Sequence, residues 1–139
     1  MENINKYIGI VHKFNGQNFD GCDCLGLCRL FYREHKWNPS WDDGKPITRD
    51  WEKKDPLRLA RYLNRHFDMT RNSDKLSFGD ILLFNVCGDA HLGIYLEYGD
   101  ILAMQVPCVE GETTSTIYHR HYWEQGFKAG FRRRVSDER

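Results

Sequence analysis

The chain has 139 residues, enough for one domain with a real core and too few for two. Lys plus Arg and Asp plus Glu each number 20, so the formal net charge is zero and no overall basic field points to nucleic acid. Nothing approaches the apolar length of a membrane span or signal peptide, and an odd count of five cysteines excludes a complete set of internal disulfides. The expectation is a chain made in a reducing cytosol, with thiols that start out free.

The first informative block is YIGIVHKFNG, residues 7–16, followed by the loop FDGCD and the run CLGLCRLFYRE. Leu27, Cys28, Phe31 and Tyr32 fall on one helical stripe, with Arg29, Arg33 and Glu34 on the other side, so a helix follows Cys24. Residues 36–55 are polar, broken by Pro39 and Pro46, and carry Trp37, Trp41 and Trp51. They read as a long ordered connection whose tryptophans pack back on the domain.

Asp55 then suits an N-cap, with Pro56 in the first turn of a second helix whose buried face is Leu59, Tyr62, Leu63, His66 and Phe67. From Phe78-Gly79-Asp80 onward the period changes. ILLFNV (81–86) reads as a buried strand, and HLGIYLE (91–97) alternates Leu92, Ile94 and Leu96 against His91, Gly93 and Tyr95. Tyr98-Gly99-Asp100 is a hairpin turn and ILAMQV (101–106) the returning strand. Further strands are expected over 113–118 and 127–132. FRRR, residues 131–134, reads as a solvated end. Helices followed by an antiparallel sheet make the class α+β, in a single domain over residues 1–139.

The chemistry turns on Cys22, Cys24 and Cys28, three thiols within seven positions. As metal ligands they lack the paired C-x2-C spacing of zinc sites, and Cys28 sits on the apolar stripe, where a free cysteine behaves as a small hydrophobe. Cys24 stands where a Gly- and Asp-rich loop enters a helix. Unpaired backbone N–H groups there favour a thiolate and an oxyanion. A nucleophile needs a base, and His91, opening a strand and followed by Gly93, is the candidate partner.

The blocks YIGIVHKFNG, DGCDCLGLCRLFYRE, FGDILLF and HLGIYLEYGDIL, in that order, resemble the NlpC-type cell-wall cysteine peptidases. They are most similar to the compact versions found in bacteriophage tails. The resemblance implies a papain-like fold in which a helix bearing the cysteine packs on an antiparallel sheet bearing the histidine. It also implies cleavage of peptidoglycan stem peptides without a cofactor. By matching position Cys24 is the nucleophile and His91 the base, and His12 and Asp23 fall on the substrate side. Delivery by a virion, beside other tail-tip proteins, would fit such a chain.

Two positions depart from the family pattern. His12 fills a slot that usually holds a tyrosine, and Ala103 fills the slot of the third catalytic residue, most often a histidine. A hairpin centred on Gly99 would set Tyr95 against Ala103 and Gly93 against Gln105. Gln105 would then lie diagonal to His91, able either to orient the imidazole or to stand as a polar residue on an exposed face. His119 and His121 are later candidates, while His35 and His66 read as helix residues. A structural tail-tip subunit that keeps the fold without activity is the competing reading, and a cluster-binding tail component a third.

Overall fold

The structure, a computed structural model, describes residues 3–37, 48, 54–55 and 57–134. A short hairpin of β1 (Gln17–Asn18) and β2 (Gly21–Cys22) leads into α1 (Cys24–Glu34). Asp23 caps that helix in extended backbone, its side chain accepting from Gly26 N, as expected of an aspartate at this position. The anticipated stripe is buried: Leu27, Cys28, Leu30, Phe31 and Tyr32 are all at most 1% exposed.

The helix stops through a Schellman arrangement. Lys36 takes a left-handed conformation, φ 60°, and its N–H donates to Arg33 O while Trp37 N–H donates to Tyr32 O. This folds Trp37 back edge-on against Tyr32, with ring centroids 5.2 Å apart. Trp37 therefore packs on the domain, in line with the sequence expectation. Trp41, Trp51, Pro39 and Pro46 lie outside the described residues.

The second helix, α2, spans Arg58–His66. It begins later than expected, with Leu57 at the cap position; Asp55 contributes its carbonyl to Arg58 N–H and its carboxylate to Arg61. Pro56 is outside the described residues. Phe67 leaves the helix and opens β3 (Phe67–Thr70), a strand that periodicity does not reveal.

The remaining strands are β4 (Ile81–Val86), β5 (Asp89–Tyr95), β6 (Ile101–Met104), β7 (Ser115–Tyr118) and β8 (Phe127–Arg133), with the one-turn helix α3 (Arg120–Trp123) before the last. Among the described residues they form a six-stranded antiparallel sheet in the order β3-β8-β4-β5-β6-β7. The α+β expectation holds. Alternation divides the sheet. Leu92, Ile94, Leu102 and Met104 pack in the cluster that includes the α1 stripe, whereas Phe84, Ile101 and Ala103 pack around Trp123 in a second cluster.

The arginine run is not a solvated end. Arg132 pairs with the buried Asp80 through Nε and Nη2 at 3.1 and 2.9 Å. The Arg133 guanidinium lies 3.7 Å from the Trp37 ring centroid, and Arg134 reaches Asp68 and the Arg65 carbonyl. These contacts fasten β8 to its surroundings, because a guanidinium bridges carboxylates, carbonyls and rings at once.

The loop before α1 is pressed against the helix. A Cβ on Gly26 would run into the Gly16 carbonyl oxygen, so the first helical turn accepts only glycine at this point. Gly26→Ala is expected to lower stability by about 1–3 kcal/mol through overpacking. Urea unfolding checks this. A midpoint equal to that of the unaltered chain would show that loop and helix do not touch as described.

Candidate active site

Cys24 is the first residue of α1 and is half-buried. Its position is set by Asp23. One carboxylate oxygen of Asp23 accepts from Gly26 N–H at 2.7 Å and the other from Asn15 N–H at 2.7 Å. Burial pushes the Asp23 carboxyl above its ordinary value, while the two backbone donors and the charges of His12 and Arg29 pull it back down. Asp23 thus ties the preceding loop to the helix start.

The neighbouring thiols differ in kind. Burial, helped by the Asp23 charge, pushes Cys22 up to about 12, and burial raises Cys28 as well. Both stay protonated near neutral pH and act as core. Cys87 and Cys108 are exposed in loops. Among the described residues no three His, Cys, Asp or Glu side chains gather into a group able to hold a metal ion.

His91 lies on β5 and is 6% exposed. It pairs with Phe84 across the β4–β5 ladder, and the two rings meet edge-on at 5.6 Å. Its Nε2 is 2.9 Å from the carbonyl oxygen of Met104 on β6. A carbonyl only accepts, so Nε2 carries the proton and, in the neutral ring, Nδ1 carries the lone pair. Burial, the largest effect, lowers the His91 pKa, and His12 lowers it further; the Met104 hydrogen bond and Asp89 oppose them. The ring is neutral near pH 7 with one nitrogen ready to accept.

Counting back along α1 and β5 from a shared anchor carries Cys24 and His91 away from it by similar lengths. Tyr32 Oη donates to Gly79 O at 2.6 Å, and Gly79 N–H donates to Tyr95 O at 2.9 Å, which sets the last turns of α1 level with the end of β5. From Tyr32 back to Cys24 is eight residues of helix, roughly 12 Å. From Tyr95 back to His91 is four residues of strand, roughly 13 Å. His12 supplies the second marker. It bridges to Cys22 beside the helix start, and its charge is felt by both Asp23 and His91. His12 Nδ1 is buried and has no hydrogen-bond partner among the described residues.

Gln105 does not join this group as anticipated. The hairpin register differs by two: Gly93 faces Ala103 and Tyr95 faces Ile101. The tight turn is made by Tyr98 and Gly99, both left-handed, and Leu96 N–H then donates to Asp100 O, so the ladder shifts relative to a turn centred on Gly99. Gln105 N–H donates to Thr114 O and its Oε1 accepts from Thr114 N–H at 2.9 Å. Its amide therefore behaves as an extra rung toward β7. The group that meets His91 is the Met104 carbonyl, a backbone atom that no side-chain motif announces. Ala103 is fully buried in the second cluster.

The remaining histidines stand elsewhere. His119 pairs with Asp100 at 2.6 Å, at the hairpin end of β5 and away from His91. His121 is exposed, His35 stacks on Phe31, and His66 packs at a tilt against Tyr62.

A helix-borne thiol and a strand-borne histidine on an antiparallel sheet can be compared with known proteins. The sequence profile of the NlpC/P60 family matches residues 9–132. The chain belongs to the NlpC/P60 family. NlpC/P60 proteins are generally cysteine peptidases or amidases acting on peptidoglycan. The NlpC/p60 domain of the peptidoglycan hydrolase SagA is similar in fold, with 17% identity over 91% of this chain and 90% of that one, and a TM-score of 0.55.

An NlpC/P60 protein from Bacillus cereus matches with 19% identity and a TM-score of 0.60, over 91% of this chain and 36% of its own. A lipoprotein-like NLP/P60 protein from Staphylococcus aureus gives 18% and 0.53, over 91% of this chain and 37% of its own. The chain thus spans little more than a third of those two proteins. No curated protein matches it by sequence.

The burial of His91 makes a pH prediction. Its folded pKa lies below the unfolded value of 6.5, so the neutral ring contributes stability that is present above pH 6.5 and lost as pH falls through the folded value. An NMR titration should place the His91 midpoint under 6.5. A midpoint above it would mean that a carboxylate, and not burial, governs the ring.

Proposed function

We propose that this chain is a cysteine endopeptidase that cleaves stem-peptide amide bonds of the bacterial cell wall, and that it does so as part of a bacteriophage tail. The observation that carries the reading is the tautomer of His91. Its Nε2–H is committed to the Met104 carbonyl, so Nδ1 is the acceptor, while Cys24 opens α1. Family membership supports the substrate class.

In the proposed cycle the Cys24 thiol gives its proton to His91 Nδ1, and the thiolate attacks the amide carbonyl carbon. The oxyanion that forms is held by N–H groups at the start of α1. The imidazolium returns the proton to the leaving amine as the C–N bond breaks. Water, deprotonated by His91, then splits the thioester and restores the thiol. Met104 O keeps the ring oriented through both steps, the role that a side-chain amide has in papain-like sites. His12 and Asp23 border the substrate at the helix start. Neither a metal nor an organic cofactor enters the scheme.

The setting in a phage tail rests on the likeness of the blocks D-C-x-G-L, G-D-x-x-x-F and H-x-G-I-Y to compact tail-associated members, which here read Asp23 to Leu27, Gly79 to Phe84 and His91 to Tyr95. Location in the virion and contact with other tail-tip proteins belong to the same proposal. Ala103 in the third slot favours the competing reading, a tail-tip subunit without activity.

Digestion of purified peptidoglycan, followed by release of new amino groups, separates the two readings. The chain should release them, Cys24→Ala should fall to background, and EDTA should leave the rate unchanged. Gln105→Ala should lower the activity by less than about tenfold, because the orienting acceptor is a backbone atom. No release above the Cys24→Ala background across several peptidoglycan types would favour the inactive subunit.

A further inference from the structure

At the end of β5 away from His91 the surface opens into a groove of about 890 Å³, a size that takes a ligand or a stretch of peptide. Ile4, Leu76, Leu96 and Ile117 give it an apolar floor, and Phe78 and Tyr98 add two rings. The charged side chains on its rim are of one sign. Glu97 and Asp100 line it, while no lysine, arginine or histidine does among the described residues. Asp100 is already paired with His119 at 2.6 Å. Glu97 is half-buried, and its carboxylate has no hydrogen bond or ion pair among the described residues.

Tyr98 is the residue that the fold alone does not explain. The turn closes with Asp100 N–H donating to Glu97 O, and Tyr98 and Gly99 both take left-handed backbone, φ 53° and 85°. Asparagine, aspartate or glycine suits the first of these positions; a tyrosine is strained there, because its side chain crowds the backbone. Burial does not offset the strain, since Tyr98 is 92% exposed. The conformation is nevertheless pinned. Gly99 N–H donates to Tyr95 Oη at 2.9 Å, and the buried Trp123 donates its Nε1–H to Gly99 O at 2.9 Å. Phe78, the second ring, is 38% exposed and rests on Phe31 with centroids 5.7 Å apart. A strained side chain held in place by its surroundings is pre-organised for contact with another molecule.

We propose that this groove docks a segment of a partner protein in which a lysine or arginine stands beside an apolar side chain. The cation meets Glu97 and the rings of Tyr98 and Phe78, and the apolar neighbour enters the floor. Three features select that occupant: the rim carries only negative charge, two exposed rings attract a cation, and the floor rewards an apolar group. Docking there leaves the catalytic group open, because Tyr95 and His91 are four residues of strand apart, roughly 13 Å. The inference therefore stands or falls separately from the peptidase reading.

Calorimetry with the full chain tests it. The probes are an acetylated and amidated pentapeptide, alanine–leucine–lysine–leucine–alanine, and the same peptide with glutamine or glutamate in place of lysine. The lysine peptide should bind about tenfold more tightly than the glutamine peptide, and salt should weaken only the lysine peptide. Glu97→Gln should erase most of that preference. Tyr98→Asn suits the left-handed turn, so it should keep or raise the thermal midpoint while weakening the lysine peptide about fivefold. Cys24→Ala should change none of these affinities, which separates the groove from the catalytic group. Equal affinity for the three peptides, a preference that survives Glu97→Gln and Tyr98→Asn, or a Tyr98→Asn chain that unfolds more readily would overturn the proposal. So would binding of an N-acetylglucosamine tetramer, lost with Tyr98→Asn, by a chain that ignores the lysine peptide: the groove would then hold glycan.

Discussion

The structure depends on a half-buried carboxylate at the start of α1. Asp23 accepts one hydrogen bond from Asn15 N–H and one from Gly26 N–H, so a single side chain fixes both the incoming loop and the first turn of the helix. Burial works against the charged form, as the raised pKa of Asp23 shows. The two backbone hydrogen bonds oppose that effect without overcoming it. They act together with the backbone bonds from Asp23 N–H to Gly16 O and from Cys22 N–H to Val11 O, which also hold the loop against the start of the helix beside Cys24.

The other half of the site depends on a neighbouring strand. His91 is held by a carbonyl of β6, and β6 is held in turn by β5 on one side and β7 on the other. Gln105 continues that ladder by lending its side-chain oxygen to Thr114 N–H. The ring orientation is therefore a property of the sheet, and a small residue is tolerated in the slot that a histidine usually fills. Ala103 completes the packing around Trp123 while Met104 O supplies the acceptor.

Much of this architecture is legible in the order of residues alone. The α1 stripe, the Asp23–Cys24 boundary and the alternation of β5 follow from spacing, because each reflects burial of one face and burial selects apolar residues. What escapes has a common physical origin. The β5–β6 register depends on which backbone N–H closes the turn after Leu96, and that choice leaves no mark on side-chain pattern. The acceptor for His91 is a carbonyl, which every residue owns. β3 is a strand of four residues at the edge of the sheet, with a largely exposed pattern that carries no alternation to detect.

The central claim is that Cys24 is a nucleophile served by Nδ1 of His91. Covalent labelling tests it most directly. A stem-peptide analogue with an electrophile in place of the scissile amide would be added at neutral pH, and the modified residue located by peptide mass spectrometry. Cys24 should carry the label, and His91→Ala should slow labelling greatly while the exposed Cys87 and Cys108 keep their own slow background rate. Labelling that prefers Cys87 or Cys108, or that proceeds at Cys24 equally fast without His91, would contradict the account.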